Sequence, residues 1–455
     1  MNFSSKNKTI DISIVDVFIL IIDDNNPVKE ICSTKNKSFL PVINKPILFY
    51  QLEFLERKKF KNIHLLVNYD DLEKTKELIS QFKSSLNIDV LEITNDLPDT
   101  FNIIKNNLTK NNFILVEADS ILSFNLGDFI DYHIDNNNLL SIILQKKDFE
   151  SNKMKFSQDD VVDTFGIDYN DNNRVVFYNK KKSADADLVI NKRIFKRFSN
   201  FNLIMNYIDL GFYIFNNSIF EIIDNFKLTF EKQKKEEKKI NLRDYFIPYL
   251  IKKTFSKDLN MILIEKYNNQ LLRANRVKIG AKLINNEKNI KSEYCYKIND
   301  YSSYFGVSEE IHKSYDEIRP IFFQTKNNIK NYFYNFEDTI RDNLENNKKF
   351  NDGIPELENI SENSYIADGV DKIEPKVIIN KTISDKNLKI EEGSKILSCI
   401  IGLNSKIGKN CIIKNCIIGN SCLIGDNCNI SECVIADNYK INEKTEASQK
   451  IFSED

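Results

Sequence analysis

Apolar residues follow two alternating periodicities in the N-terminal region. Short apolar runs typical of buried strands alternate with stretches whose apolar residues recur every three or four positions, which is typical of helices. The predicted strands are Val17–Ile22, Asn62–Val67, Val90–Ile93, Phe113–Glu117, Leu139–Gln145, Arg174–Tyr178, Tyr207–Phe215 and Tyr294–Ile298, and the predicted helices are Ile47–Lys58, Leu72–Phe82 and Ser308–Ile318. This alternation predicts a parallel-dominated α/β sheet with helices on both faces. Ligands of such sheets bind beyond the carboxyl ends of the strands, where the loop Asp23–Pro27 would lie.

A different pattern occupies the C-terminal region, where isoleucines recur at steps of six, six and five residues. Three series each repeat every 17 residues: Ile390, Ile407, Ile424 and Ile441; Ile396, Ile413 and Ile430; and Ile401, Ile418 and Ile435. Three series with one period predict three short strands per turn of a triangular parallel β-helix, with the isoleucines stacked inward. We expect the glycines after several isoleucines, as in Ile401-Gly402, to allow tight corners.

Composition and charge narrow the class of protein. A chain of 455 residues indicates two or three domains, and contents of 42% hydrophobic and 29% charged residues are typical of globular proteins. The formal net charge of −2 gives no electrostatic reason to expect nucleic acid or an anionic membrane as the main partner. The apolar run Val17–Ile22 is too short for a secretory signal or a membrane span, so we expect a protein of the cytosol or the nucleus.

Six of the eight cysteines lie close together near the C-terminus: Cys399, Cys411, Cys416, Cys422, Cys428 and Cys433. A metal site would favour Cys-x-x-Cys pairs or a nearby histidine, but the last histidine is His312. A disulfide framework would need an oxidising compartment, which nothing in the sequence indicates. We therefore interpret the cysteines as small apolar residues packed inside the β-helix. The histidines His64, His133 and His312 are dispersed and do not support a catalytic triad.

Several motifs resemble a known family, the nucleotidyltransferases that join an α/β domain to a left-handed β-helix. The resembling residues are Phe39-Leu-Pro-Val-Ile-Asn-Lys-Pro46, Tyr50, Leu52-Glu53-Phe-Leu55, Leu188-Val-Ile190 and Leu242-Arg-Asp-Tyr-Phe-Ile-Pro-Tyr-Leu250. They are most similar to the branch formed by the gamma subunits of eukaryotic translation initiation factor 2B. The resemblance implies a nucleotidyltransferase-like α/β domain at 1–320, a flexible linker at 321–360, a left-handed β-helix at 361–446 and a tail at 447–455. The epsilon subunit of that family would carry a further helical domain after the β-helix, where this sequence has only Asn442–Asp455.

The loop after the first strand departs from the pattern of active family members. In those enzymes, backbone amides of glycines hold the triphosphate and an arginine neutralises it. Aligned from Lys37, the glycine positions hold Asp23, Asp24 and Asn25, and Pro27 replaces the arginine. Each carboxylate near a phosphate would cost on the order of 4 kcal/mol at about 4 Å and an effective dielectric of about 20. We therefore predict no nucleotidyl transfer, and we assign no catalytic, cofactor-binding or metal-binding residues and no cofactor.

Three other residues match positions of the family's active site. Lys37 stands where the lysine of a Pro-Lys-Pro motif lies, but its neighbours are Asn36 and Ser38, so we interpret it as a solvated surface lysine. Asp119 matches a metal-binding aspartate after a central strand, and we interpret it as a helix or turn cap. Asp209 matches the second metal position only approximately, and we interpret the pair as a remnant.

The resemblance implies a non-catalytic subunit of the guanine-nucleotide exchange factor that promotes GDP-to-GTP exchange on translation initiation factor 2. Its implied partners are the epsilon subunit, the alpha, beta and delta subunits, and translation initiation factor 2 as substrate. The alternative is a sugar-nucleotide pyrophosphorylase, such as mannose-1-phosphate guanylyltransferase, or its inactive regulatory paralogue. The loop Asp23–Pro27 discriminates between them, because an enzyme needs the glycines and the arginine that this loop lacks.

Overall fold

The fold is described from a computed structural model of the chain. It describes residues 14–22, 28–31, 36–43, 45–82, 84–94, 96–146, 162–181, 190, 192–198, 200–205, 207–223, 226, 242–255, 277–284, 294–313, 364–366, 372–374 and 376–453. The loop Asp23–Pro27, Cys32 and the whole of the predicted linker at 321–360 lie outside these residues.

The described part of the N-terminal region forms an α/β domain. Its strands are β1 (Val15–Ile21), β2 (Pro41–Val42), β3 (Lys45–Pro46), β4 (Asn62–Asn68), β5 (Asn87–Ile93), β6 (Asn112–Glu117), β7 (Ser120–Ser123), β8 (Leu140–Lys146), β9 (Val162–Asp168), β10 (Arg174–Lys181), β11 (Asn202–Ile204), β12 (Tyr207–Asn216), β13 (Ile279–Ile284) and β14 (Tyr294–Lys297). Its helices are α1 (Ile47–Arg57), α2 (Tyr69–Gln81), α3 (Leu97–Asn107), α4 (Leu126–Asp135), α5 (Lys192–Arg197), α6 (Ile247–Lys253) and α7 (Tyr301–Lys313). None of the helices in the described residues combines the length and apolar character needed to cross a bilayer.

Ten of these strands form one sheet in the order β11-β9-β10-β13-β8-β12-β6-β1-β4-β5. Strands β5, β4, β1 and β6 run parallel to one another. Strand β12 lies between β6 and β8 and is antiparallel to both, and β9, β10 and β11 also pair antiparallel. The predicted dominance of parallel pairs is therefore wrong for the second half of the sheet, which makes the whole sheet mixed. The α/β class itself is confirmed.

The C-terminal region is a parallel β-helix of short strands stacked in three sheets, consistent with a left-handed β-helix. One face packs against the α/β domain, and we call it the docked face. It contains β15 (Tyr365–Ile366), β18 (Ile383–Ser384), β21 (Ile400–Ile401), β24 (Ile417–Ile418), β27 (Val434–Ile435) and β30 (Ile451–Phe452). The lysine face contains β16 (Lys372–Ile373), β19 (Lys389–Ile390), β22 (Lys406–Ile407), β25 (Leu423–Ile424) and β28 (Lys440–Ile441). The third face contains β17 (Ile378–Asn380), β20 (Lys395–Leu397), β23 (Ile412–Lys414), β26 (Asn429–Ser431) and β29 (Glu446–Ser448).

The predicted 17-residue period is confirmed by the strand register, in which Ile407 pairs with Ile424 and Ile413 with Ile430. The ladder continues beyond residue 446, where the sequence analysis placed a tail. Ala447 and the buried Phe452 take the inner positions there, so the isoleucine pattern ends one coil before the strands do.

Close approach between coils, rather than corner geometry, explains the glycines of the repeat. The left-handed corners are occupied by other residues, such as Asn404 at φ 59° and Asn427 at φ 56°. A Cβ atom added at Gly408 would lie 2.3 Å from Oδ1 of Asp426 in the next coil. The expectation that these glycines allow tight corners is therefore wrong.

All six clustered cysteines are buried free thiols among the stacked isoleucines, which confirms their packing role. The Sγ atom of Cys411, for example, donates to the carbonyl oxygen of Gly425 at 3.1 Å. Burial raises the pKa of the Cys422 thiol to about 11. The Cys422 thiol is therefore protonated at neutral pH, and its thiolate chemistry is suppressed.

The docked face packs against the α/β domain through a shared apolar cluster. Its outward residues Ile383, Ile400, Ile417 and Val434 contact Val28, Leu40, Tyr301, Tyr304 and Val307 among others. The backbone amide of Asp437 also donates to the carbonyl oxygen of Glu30 at 3.0 Å. Burial of this apolar stripe holds the two domains together.

Candidate functional site

A cluster of six charged side chains lies at the carboxyl ends of the central strands. We call it the charge cluster, and its members are Lys37, Glu117, Asp119, Asp209, Arg243 and Lys297. Glu117 ends β6, and Asp119 lies in the turn that leads to β7. This edge of the sheet is where ligands of α/β proteins bind.

The carboxylate of Asp119 is held between two lysines. Nζ of Lys37 donates to its Oδ2 at 3.0 Å, and Nζ of Lys297 donates to its Oδ1 at 2.7 Å. Lys37 is oriented by a second hydrogen bond, to the carbonyl oxygen of Ile298 at 3.2 Å. Asp119 therefore accepts a cation at each carboxylate oxygen.

Lys297 also connects the two acidic residues of the β6 end. Its Nζ lies 3.1 Å from Oε2 of Glu117, and its side chain is only 1% exposed. The amide of Gln51 donates to the backbone carbonyl oxygens of Glu117 and Ser120, which fixes the turn that carries Asp119. The ammonium group thus lies between two carboxylates in a buried position.

Asp209 is turned into the core by a bulge in β12. The register between β12 and β8 shifts between Asp209 and Tyr213, and Gly211 has φ +73°, which favours glycine. The Asp209 carboxylate accepts from the amide of Gly211 at 2.8 Å and from the Tyr213 hydroxyl at 2.7 Å. Its side chain is 2% exposed, so it faces the protein rather than a ligand cavity.

Arg243 completes the cluster from the turn Leu242–Phe246, which precedes α6. Its Nη2 donates to Oε2 of Glu117, and its Nε lies 3.7 Å from Oδ2 of Asp209. Three carboxylates are thus matched by three cations.

The pKa shifts reflect this compensation. Burial alone would raise the pKa of Asp119, but the ammonium groups of Lys297 and Lys37 hold it well below its usual range. Burial also acts to lower the pKa of Arg243, and the charges of Glu117 and Asp209 outweigh it, so that its pKa lies above the usual value. Burial and then repulsion from Arg243 lower the pKa of Lys297.

The ion pairs of the charge cluster involve the carboxylate oxygens that a metal ion would need. Carboxylates at strand ends are the ligands that Mg²⁺ prefers, and Glu117 with Asp119 could supply oxygen ligands if the lysine between them were displaced. Among the described residues, no group of three or more His, Cys, Asp and Glu side chains is arranged to hold a metal ion. In the arrangement observed, Lys297 supplies positive charge to the same oxygens that a metal ion would use.

The structure changes the interpretation of two predicted residues. Lys37 is only 17% exposed and ion-paired, so its interpretation as a solvated lysine is wrong. Asp119 is an ion-pair acceptor rather than a cap, because both of its oxygens bind lysine. Neither Arg243 nor Lys297 was predicted as a site residue, although Arg243 stands within the motif Leu242–Leu250. The predicted acidic loop Asp23–Pro27 lies outside the described residues and stays a prediction.

One contact between a histidine and a possible nucleophile was also missed. Nδ1 of His133 lies 2.9 Å from Oγ of Ser141, and these residues are 2% and 0% exposed. Burial lowers the pKa of His133 to about 3, so it is neutral at physiological pH. Nδ2 of Asn138 donates to Oγ of Ser141, and Nε2 of His133, which a triad carboxylate would accept from, has no hydrogen-bond partner among the described residues. The contact lies within the core, where no substrate could reach the hydroxyl.

Comparison with known proteins finds a matching family model in each domain. Residues 28–247 match the family described as Nucleotidyl transferase, and residues 354–451 match the family described as GMPPB C-terminal domain. The chain is 22% identical over 242 residues to translation initiation factor eIF2B subunit gamma of Dictyostelium discoideum, a match that covers 50% of this chain and 54% of that protein. It is 27% identical over 151 residues to the bifunctional sugar-1-phosphate nucleotidylyltransferase/acetyltransferase of Sulfurisphaera tokodaii, covering 28% of this chain and 36% of that protein.

The matched regions thus span about half the length of the first relative and about a third of the second. The order of the two matched domains is the order that the motifs predicted. The domains observed in the structure agree with both matches. The resemblance inferred from the sequence is confirmed: the chain is similar to the eIF2B gamma-like nucleotidyltransferase family.

Proposed function

We propose that this chain is a non-catalytic subunit of translation initiation factor 2B, the exchange factor that promotes GDP-to-GTP exchange on translation initiation factor 2. The observation that carries the proposal is the position of Lys297, whose buried ammonium group contacts both Asp119 and Glu117. A Mg²⁺ ion at these oxygens would have to displace a cation that is already paired. The similarity to an eIF2B gamma subunit supports the same conclusion.

In this proposal the chain is a cytosolic scaffold that pairs with the epsilon subunit and joins the alpha, beta and delta subunits. The β-helix supplies a rigid surface for such assembly, because its coils are locked by stacked isoleucines. Capture of a tagged full-length chain from native cells, followed by mass spectrometry, is expected to recover these subunits.

A matched pair of variants tests the role of the β-helix. Ile424→Asp, at a buried inner position, should abolish the capture of epsilon, whereas Asn429→Asp, at an exposed position, should not.

A second candidate function is that of a sugar-nucleotide pyrophosphorylase. The nucleotidyl transferase family match and the similarity to a sugar-1-phosphate nucleotidylyltransferase favour it. One assay distinguishes the two candidate functions. Purified protein is incubated with Mg²⁺, nucleoside triphosphates and hexose 1-phosphates, and pyrophosphate release is measured. We expect no pyrophosphate release above a boiled control. Release at about one turnover per second, an ordinary enzymatic rate, would establish the second candidate instead.

A further inference from the structure

The lysine face of the β-helix carries lysines that pair with one another in register. Each of its strands β19, β22, β25 and β28 contributes one outward residue, and the inward residue that follows, such as Ile407, is buried. The paired outward residues are Lys389 with Lys406, Lys406 with Leu423, and Leu423 with Lys440. We call Lys389, Lys406, Leu423 and Lys440 the lysine column.

Three of the four residues of the column are accessible to solvent. Lys406 and Lys440 are exposed, Leu423 is 41% exposed, and Lys389 is half-buried. Neither Lys406 nor Lys440 has a carboxylate within ion-pairing distance among the described residues. On the third face, by contrast, Lys395 lies between Ile378 and Ile412 in the ladder, so lysines there are separated by apolar residues.

Stacking lysines in this way costs stability. Strands in a sheet lie about 4.8 Å apart, and like charges directly opposite each other on neighbouring strands are destabilising. The positive charges also reinforce one another along the column and produce a field that attracts anions. An acidic partner would relieve the repulsion, and an exposed leucine within the column would then be covered by apolar contact.

We propose that the lysine column is a docking site for an acidic amphipathic α-helix of a partner protein, lying along the axis of the β-helix. An α-helix rises about 5.4 Å per turn, close to the strand spacing of about 4.8 Å. Acidic side chains three or four residues apart can therefore meet successive lysines, with an apolar side chain over Leu423. An extended partner fits less well, because residues on one side of a strand recur about every 6.6 Å. This inference does not depend on the proposed function.

Nucleic acid is the competing occupant, and two observations disfavour it. Leu423 interrupts the lysines with an exposed apolar side chain that a phosphate backbone would not contact favourably. The whole chain also has a formal net charge of −2, whereas nucleic-acid-binding proteins usually carry a basic surplus.

The test uses the full-length chain and a synthetic helical peptide of roughly 20 residues. Its glutamates recur every three or four residues on one face, and a single leucine lies among them on the same face. Binding is measured by fluorescence anisotropy. The double variant Lys406→Glu/Lys440→Glu is expected to weaken binding at least about tenfold, because two charge pairs become repulsive. The matched control Lys395→Glu/Lys414→Glu changes the net charge equally on the third face, and we expect it to leave the dissociation constant nearly unchanged.

Three outcomes would overturn the inference. If both double variants weaken peptide binding equally, only net charge matters. If a scrambled peptide binds as tightly as the designed one, the helical spacing of its glutamates has no effect on binding. A homopolymeric RNA that binds more tightly than the peptide would assign the column to nucleic acid. A second measurement is independent of any ligand. Lys406→Thr should raise the thermal midpoint and weaken peptide binding together, whereas a lower midpoint would contradict the repulsion on which the inference rests.

Discussion

Replacing Lys297 with methionine tests whether the charge cluster is a self-compensated unit. Methionine keeps much of the volume of the lysine side chain and removes its charge. The lost contacts are those to Asp119 at 2.7 Å and Glu117 at 3.1 Å. At an effective dielectric of about 20, each contact corresponds to about 5–6 kcal/mol of Coulomb energy.

Most of that attraction offsets the desolvation of the charges, so the net loss is smaller. Removing one partner of a buried ion pair typically costs about 3–5 kcal/mol, because the remaining charge stays buried without compensation. We expect a loss of this size for Lys297→Met in the free energy of unfolding, measured by urea denaturation with circular dichroism. The control is Lys37→Met, which removes another lysine from the same carboxylate. Lys37 is 17% exposed whereas Lys297 is 1% exposed, and its loss leaves Asp119 paired with Lys297, so we expect a smaller loss, of about 1 kcal/mol.

A second change separates charge from packing. Lys297→Met leaves the carboxylates of Glu117 and Asp119 without the ammonium group between them, so that they repel each other. Adding Glu117→Gln removes one of these two charges. The double variant should therefore be more stable than the sum of the two single effects predicts, by about 1–2 kcal/mol. Equal and small losses for Lys297→Met and Lys37→Met, with additive behaviour of the double variant, would refute the compensated-cluster interpretation.

Three further predictions concern the cores of the two domains. The pKa of His133 falls from 6.5 to about 3 on folding, so between these pH values the unfolded chain binds a proton that the folded chain does not. The free energy of unfolding should therefore fall on acidification below about pH 6.5, by about 2 kcal/mol at pH 5. His133→Asn should flatten this pH dependence, measured by denaturant unfolding at several pH values. Gly408→Ala should cost about 1–3 kcal/mol in the same assay, because its Cβ would lie 2.3 Å from Asp426, whereas Gly306→Ala, with no atom within 4 Å, should be neutral or stabilising. The buried cysteine thiols of the β-helix should react slowly with an aromatic disulfide reagent in native protein and rapidly in denaturant; fast reaction in native protein would contradict their packing.

The β-helix could be predicted from the sequence because one side chain dominates each inner position. Ile407, Ile424 and Ile441 repeat at the structural period, so the pattern gives the register directly. The last coil was missed because Ala447 and Phe452 replace isoleucine there. In the α/β domain, Ile279–Ile284 was missed because its glycine and lysine interrupt the apolar run, although β13 is buried between β8 and β10. Strand direction depends on connections distant in sequence, so the antiparallel insertion of β12 had no local signal.

The candidate site was harder to predict for the same reason. Asp119 could be identified by its place after a central strand, but its partners come from distant parts of the chain. Lys297 is 178 residues away from it, at the end of a short strand that pairs with β7. A local pattern identifies the acidic residue and gives no information about the cation that neutralises it. The corrected interpretation of Asp119 follows from this distant partner, and that of Lys37 follows from its own ion pair with Asp119, 82 residues away.

The charge cluster and the domain interface are adjacent along the chain. Strand β14 carries Lys297 and leads directly into α7, whose Tyr304 donates to the carbonyl oxygen of Pro41 at 2.7 Å. Tyr301 of the same helix packs against the docked face of the β-helix and donates to Glu30. The ion pairs of Lys297 therefore anchor the chain just before the helix that supports the β-helix. In this fold, one lysine thus neutralises the acidic strand ends directly before the helix whose tyrosines belong to the domain interface.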